Sequence, residues 1–176
     1  MPEFDDVKAF HQKFDLIWHP DGSAPVHLTP QKIADRVNFM LEELGEFVNA
    51  AGTVFIDFDS DKAEPYCFLF SDRNQSPPDL PKMADALVDL VYVALGTAVQ
   101  LGLPWAKLWD DVHAANMRKV RGSSTRNYID VIKPPGWVGP KGEAILAEVG
   151  YRPEHWREHA GIDDATWWGA QGTLDV

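Results

Sequence analysis

Five carboxylates in two groups carry the chemistry most readily read from this sequence: Glu42, Glu43 and Glu46 in FMLEELGEFV, then Asp85 and Asp89 in MADALVDLVYVALG. On a helix turning about 100° per residue, each group falls on one side, and two such helices brought together present a set of oxygen donors. Oxygen ligands with no Cys and few His nearby suit a hard cation, so Mg²⁺ or Mn²⁺ fits better than zinc. A Mg²⁺ ion held by a few carboxylates keeps positions for water and substrate phosphates. The chemistry indicated is therefore phosphate chemistry.

Taken alone, Glu42, Glu43 and Glu46 read equally as a solvated helix face. Asp85 and Asp89 shift the balance. They share a face with Tyr92, Val93 and Gly96, while the other side carries Leu87, Val91, Ala94 and Leu95. Such a helix reads as buried on both sides, where an aspartate is costly unless it is paired, hydrogen-bonded or metal-bound.

A second group has the opposite charge. In DVHAANMRKVRG, His113, Asn116 and Lys119 recur at three-residue steps, and Arg118, Arg121 and Arg126 stand close by in sequence. Lys119 offers a point charge and Asn116 amide donors, a set suited to phosphate. The plainer alternative is a helix C-terminus decorated with favourable cations. His113 by itself reads equally as a packed or surface histidine. For a nucleobase the candidates are Phe14, Trp18 and His19, with Trp137 further on, although each aromatic residue also reads as core.

The elements that must position these residues are helical. Phe4, Val7, Phe10, Phe14 and Ile17 predict a helix over about 4–17, ended near His19-Pro20. Thr29-Pro30 supplies an N-cap and a first-turn proline, and the stripe Ile33, Val37, Met40, Leu41, Leu44, Phe47, Val48 and Ala51 predicts the second helix. A third runs over about 79–101, opened by Asp79 and closed by Gly102, and a fourth over about 105–120. Between the second and third, TVFIDFDS and YCFLFSDR predict a small inserted β-hairpin. Beyond residue 121 the sequence predicts an irregular segment, with short helices near 142–149 and 153–160. The expected architecture is all-α, an antiparallel four-helix-bundle-like core with the inserted hairpin and an irregular C-terminal extension. One domain is expected over 1–176, its core about 4–137 and its extension about 138–176.

Composition excludes several function classes. A formal net charge of −11 repels nucleic-acid polymers and anionic membrane surfaces. The single Cys67 excludes an intramolecular disulfide framework and a CxxC zinc site, and suits a reducing cytoplasm; it reads as a half-buried apolar residue. The start, MPEFDDVKAFHQKFDL, lacks the basic and apolar regions of a secretory signal. The apolar run from Ala84 to Leu103 is interrupted by Asp85, Asp89, Thr97 and Gln100, which argues against a membrane span.

EELGEF, then DALVDLVYVALGTAVQLGL, VHAANMRK and finally KPPGW together resemble the all-α nucleoside triphosphate pyrophosphohydrolases. This MazG-like superfamily also contains dimeric dUTPases and phosphoribosyl-ATP pyrophosphohydrolases. The resemblance covers residues about 4–137. It implies hydrolysis between the α and β phosphates, giving a nucleoside monophosphate and pyrophosphate. It further implies two or more Mg²⁺ or Mn²⁺ ions held by an ExxE pair and a later ExxD pair. Glu43 and Glu46 match the first pair and Asp89 the last aspartate, while Ala86 stands where the family has glutamate. Asp85, one residue earlier, is the candidate substitute. Glu42 would bind a further ion or act as the base for the attacking water. Asn116, Arg118 and Lys119 would hold the phosphate tail, with Lys133 and Trp137 contributed by KPPGW.

The 38 residues between Glu46 and Asp85 exceed the family's usual spacing, an excess the inserted hairpin accounts for. The bacteriophage-type MazZ branch, acting on guanine deoxynucleotides such as dGTP, is one match within the superfamily, and it would place the chain in the host cytoplasm. The apolar third helix and the resemblance both imply a homodimer or a dimer-of-dimers tetramer, with active sites near the subunit interface. The reading from a different class is an acidic helical module that binds metal or a partner without turnover.

Overall fold

Thr29 caps the longest helix among the described residues: its hydroxyl oxygen accepts the Lys32 N–H at 3.3 Å, and Pro30 occupies the first turn. In the computed structural model, which describes residues 1–52, 54–57, 67–70, 77–123 and 129–153, this helix is α2, Pro30–Ala51. It ends where Gly52 turns left-handed at φ 71°, a conformation glycine adopts without steric cost. The other helices are α1 (Pro2–Lys13), α3 (Leu80–Gln100), α4 (Trp105–Met117) and α5 (Gly142–Glu148). The protein is mostly helical, as its periodicity predicts.

The residues fall into two compact units, Thr29–Thr97 and Met1–Leu28 with Ala98–Val176, divided within α3. In the first, α2 and α3 form an antiparallel helical hairpin. The Arg36 guanidinium donates to the Val93 carbonyl at 2.7 Å and to Thr97 Oγ1 at 3.0 Å. At the other end, the Asp79 N–H donates to the Ala50 carbonyl at 2.9 Å, and Asp79 caps α3 by accepting the Lys82 N–H at 3.2 Å. Residues climbing α2 thus meet residues descending α3. Val48, Ala50, Ala86 and Leu95 are buried. The inserted hairpin is present, β1 (Val54–Asp57) pairing antiparallel with β2 (Cys67–Phe70), Val54 opposite Phe70.

The second unit is built on α1, α4 and α5 around Val7, Leu28, Ala98, Val99 and Ala115. Helix α1 stops at Lys13, four residues before the predicted Ile17. Asp15 turns left-handed at φ 52°, its N–H bonding the Gln12 carbonyl and the Leu16 N–H the His11 carbonyl, so the chain closes in a Schellman motif before the apolar pattern runs out. Helix α4 likewise ends at Met117, short of 120. The segment after 121, predicted irregular, contains part of a second antiparallel hairpin: β3 (Val120–Ser123) pairs with β4 (Ile129–Ile132). The apolar residues of YIDVI were its signal, hidden by the short strands and the intervening polar stretch. Helix α5 matches the expected 142–149 helix, while the one near 153–160 lies outside the described residues.

The double burial expected for α3 is not observed. Ala86 is 1% exposed, yet Leu87, Val88 and Val91 are 48%, 64% and 53% exposed, and Asp85 and Asp89 are open to solvent. Within one chain, α3 packs along only one stripe in its acidic half, so burial alone imposes no penalty on these aspartates. By length and composition α3 is apolar enough to cross a membrane, with a mean hydropathy of 1.4 over its best window.

Candidate active site

Antiparallel packing of α2 on α3 turns two distant sequence groups into one electrostatic cluster. Glu43 shows it: partial burial, then the charges of Glu46, Asp89, Glu42 and Asp85, raise its carboxyl above the usual glutamate range. Carboxylates from both helices therefore act on Glu43. Glu46 and Asp85 also line a shared open cleft of about 580 Å³ with Asn49, Asp79 and Lys82. Asp85 thus stands in the cleft, whereas Ala86, at the position of the missing glutamate, is packed inside the unit.

Asn49 and Lys82 were not singled out from the sequence. Their signal was helical spacing: Asn49 lies three residues beyond Glu46, and Lys82 three before Asp85, so each shares its carboxylate's face. The Lys82 ammonium is paired with Asp79 at 3.3 Å.

The donor set suits a hard divalent cation, because it is all oxygen and its mutual repulsion is relieved by positive charge. Among the described residues, no group of three or more His, Cys, Asp or Glu side chains is arranged to hold a metal ion as it stands. Glu42, Glu46, Asp85 and Asp89 are exposed and retain the rotamer freedom to converge on one.

The basic group belongs to the other unit and is organised by Trp137. Its indole N–H donates to the Ala115 carbonyl at 2.9 Å, fixing the ring beside the end of α4. Lys133 Nζ lies 4.7 Å and Lys119 Nζ 5.9 Å from the ring centroid, so one aromatic ring gathers two cations. Arg118 donates to the Val138 carbonyl at 3.1 Å, tying the same segment to α4. His113 and Asn116 are exposed on α4, and Arg121 is exposed on β3. Arg126 lies outside the described residues.

Trp18 is exposed, and Phe14 packs on Phe10 with ring centroids 4.7 Å apart. His19 donates from Nε2 to the Gln100 carbonyl at 2.9 Å and lines a separate cavity that includes neither Trp18 nor Trp137.

No curated protein matches the chain. A family model, that of phosphoribosyl-ATP pyrophosphohydrolase, matches residues 7–116, running from α1 through the helical hairpin to the end of α4. The match takes in every carboxylate of the cluster together with His113 and Asn116, and covers more than half of the chain. The chain therefore belongs to the phosphoribosyl-ATP pyrophosphohydrolase family, within the MazG-like all-α nucleoside triphosphate pyrophosphohydrolases.

Proposed function

We propose that this pyrophosphohydrolase cleaves a nucleoside triphosphate between its α and β phosphates, releasing the monophosphate and pyrophosphate. The observation that supports the reading is that Glu42 and Glu46 of α2 and Asp85 and Asp89 of α3 all act electrostatically on Glu43. So much negative charge on an open cleft opposes an anionic substrate unless cations are recruited with it.

Glu43, Glu46, Asp85 and Asp89 would hold Mg²⁺ or Mn²⁺, two or more ions per site. When bound, such cations offset the charge on the phosphate oxygens and polarise the phosphoryl group. Glu42, exposed beside the ligand pair, takes the proton of the attacking water as its oxygen bonds to phosphorus. The bridging P–O bond breaks, and pyrophosphate leaves with the electron pair. Lys82 and Asn49 add a cation and an amide at the cleft. Lys119, Lys133, Arg118 and Asn116 are the candidates for the phosphate tail, with Trp137 holding the two lysines. Charge and the single cysteine fit a cytoplasmic enzyme, and the exposed apolar face of α3 fits a homodimer or a dimer of dimers.

The test is a panel of NTPs, dNTPs and phosphoribosyl-ATP with Mg²⁺ or Mn²⁺, detecting pyrophosphate and orthophosphate separately. Pyrophosphate with a nucleoside monophosphate is expected, with dGTP and GTP as the guanine arm. Turnover of phosphoribosyl-ATP alone would move the substrate to the one for which the matched family is named. Orthophosphate as the first product would make the chain a phosphatase, and no turnover at all would favour a non-catalytic acidic binding module.

A further inference from the structure

The acidic cleft has a direction. The Asp79 N–H bond to the Ala50 carbonyl fixes one end of the helical hairpin, and from that end the polar residues follow in order. Lys82 of α3 and Asn49 of α2 come first, Asp85 and Glu46 next, and Asp89 and Glu43 beyond them. Steps of three and four residues keep each series on one side of its helix. At a helical rise of about 1.5 Å per residue, Lys82 stands about 4.5 Å from Asp85 along the axis. The cleft therefore has a carboxylate end and, next to the clasp, an end with an ammonium and an amide.

Among the described residues, Lys82 is the only cation on the lining of this cleft. Its ammonium rests 3.3 Å from Asp79 Oδ2, while Asp79 Oδ1 accepts the Lys82 backbone N–H at 3.2 Å. One carboxylate thus caps α3 and holds the ammonium. The Lys82 side chain is 77% exposed, so the ion pair is weak and the ammonium exchanges partners at little cost. The two contacts are separable, because Asp79→Asn keeps the cap and releases the ammonium.

The proposed hydrolysis makes an unequal demand on the cleft. A water oxygen bonds to the α phosphorus, the bridging P–O bond breaks, and its electron pair stays on the departing pyrophosphate. Negative charge builds on that leaving group, and a hydrogen bond from an ammonium strengthens as it does. Ionised carboxylates have no hydrogen to donate to such an oxygen, whereas Lys82 has three.

We propose that Lys82 binds the pyrophosphate group, its ammonium leaving Asp79 for a phosphate oxygen as substrate enters the cleft. No proton is transferred in the exchange. This role rests on the hydrolysis proposed above, and its test is a binding measurement made without turnover.

Full-length protein in Mg²⁺ is titrated with inorganic pyrophosphate by calorimetry, and Mn²⁺ alone is titrated in parallel. Lys82→Met should weaken pyrophosphate about tenfold, and Lys82→Arg should recover most of that loss. Asp79→Asn should tighten pyrophosphate about threefold, and the double variant should bind it as weakly as Lys82→Met alone. Mn²⁺ alone should bind Lys82→Met no more weakly than the parent. A purely structural Lys82–Asp79 pair would instead make both single variants lose Mn²⁺ and pyrophosphate affinity together, and that result overturns the proposal. So does a parent that binds no pyrophosphate up to about 1 mM. A Lys82→Met variant that binds pyrophosphate as tightly as the parent overturns it too, even where the nucleotide panel releases pyrophosphate. Pyrophosphate binding that depends on Lys82 in a protein that turns over no nucleotide keeps the subsite and removes the hydrolysis.

Discussion

Glu43 is held above its ordinary proton affinity by partial burial and by four neighbouring carboxylates, so the folded chain binds this proton more tightly than the unfolded chain does. For an acid with a raised folded value, the charged form destabilises the fold. Stability of the metal-free protein should therefore fall as pH rises from the ordinary glutamate range, about 4.3, through the raised value, and then level off. Urea midpoints measured in chelator between about pH 4 and pH 8 check this, and Glu43→Gln should flatten that stretch of the profile. Catalysis gives a second residue-scale expectation. Glu46→Gln and Asp89→Asn should each reduce kcat by on the order of 10²-fold or more, with the helical circular dichroism signal unchanged. Full activity in either variant would remove that residue from the machinery. The acidic residues themselves were legible in the sequence because helical spacing alone puts each group on one face. Lys82 and Asn49 were not, since an isolated lysine or asparagine in a helix has no reading until its neighbours across the cleft are known.

At the scale of elements, Arg36 sets the register of the helical hairpin. It spans from α2 to both Val93 and Thr97 on α3, and burial lowers its proton affinity. Arg36→Met keeps the length of the side chain and loses both bonds, leaving the Val93 carbonyl to α3 itself, including the Thr97 hydroxyl. The expected cost is about 2 kcal/mol in urea unfolding, together with weaker Mn²⁺ binding as the carboxylates lose their alignment. Helix existence was readable from periodicity and caps: Thr29 and Asp79 cap α2 and α3 as their side chains predict. Helix ends were less so. The Schellman closure at Asp15 depends on a torsion that no apolar pattern encodes, and the β3–β4 hairpin depends on a partner strand. The burial expected for α3 failed for a related reason, because the apolar content of a helix does not say how much of it a single chain can cover.

At the scale of the molecule, the uncovered face of α3, centred on Leu87, Val88 and Val91, is the surface a second copy would bury. Val88→Glu should lower the sedimenting mass toward that of a 19.7 kDa monomer, and an unchanged mass would place any self-association elsewhere. The Asp79 N–H to Ala50 carbonyl bond has a different consequence. It clasps α2 to α3 just before the chain departs into the inserted segment, so the alignment of Glu46 with Asp85 is settled on the near side of that excursion. Because loop closure changes by only about 0.6 kcal/mol for each doubling of length, the excursion is free to vary while the carboxylates stay in step. Replacing residues 53–76 with a short Gly/Ser linker should leave Mn²⁺ affinity within about threefold. On this view the long spacing between the acidic groups is room for elaboration, opened beyond a clasp that already fixes the two helices.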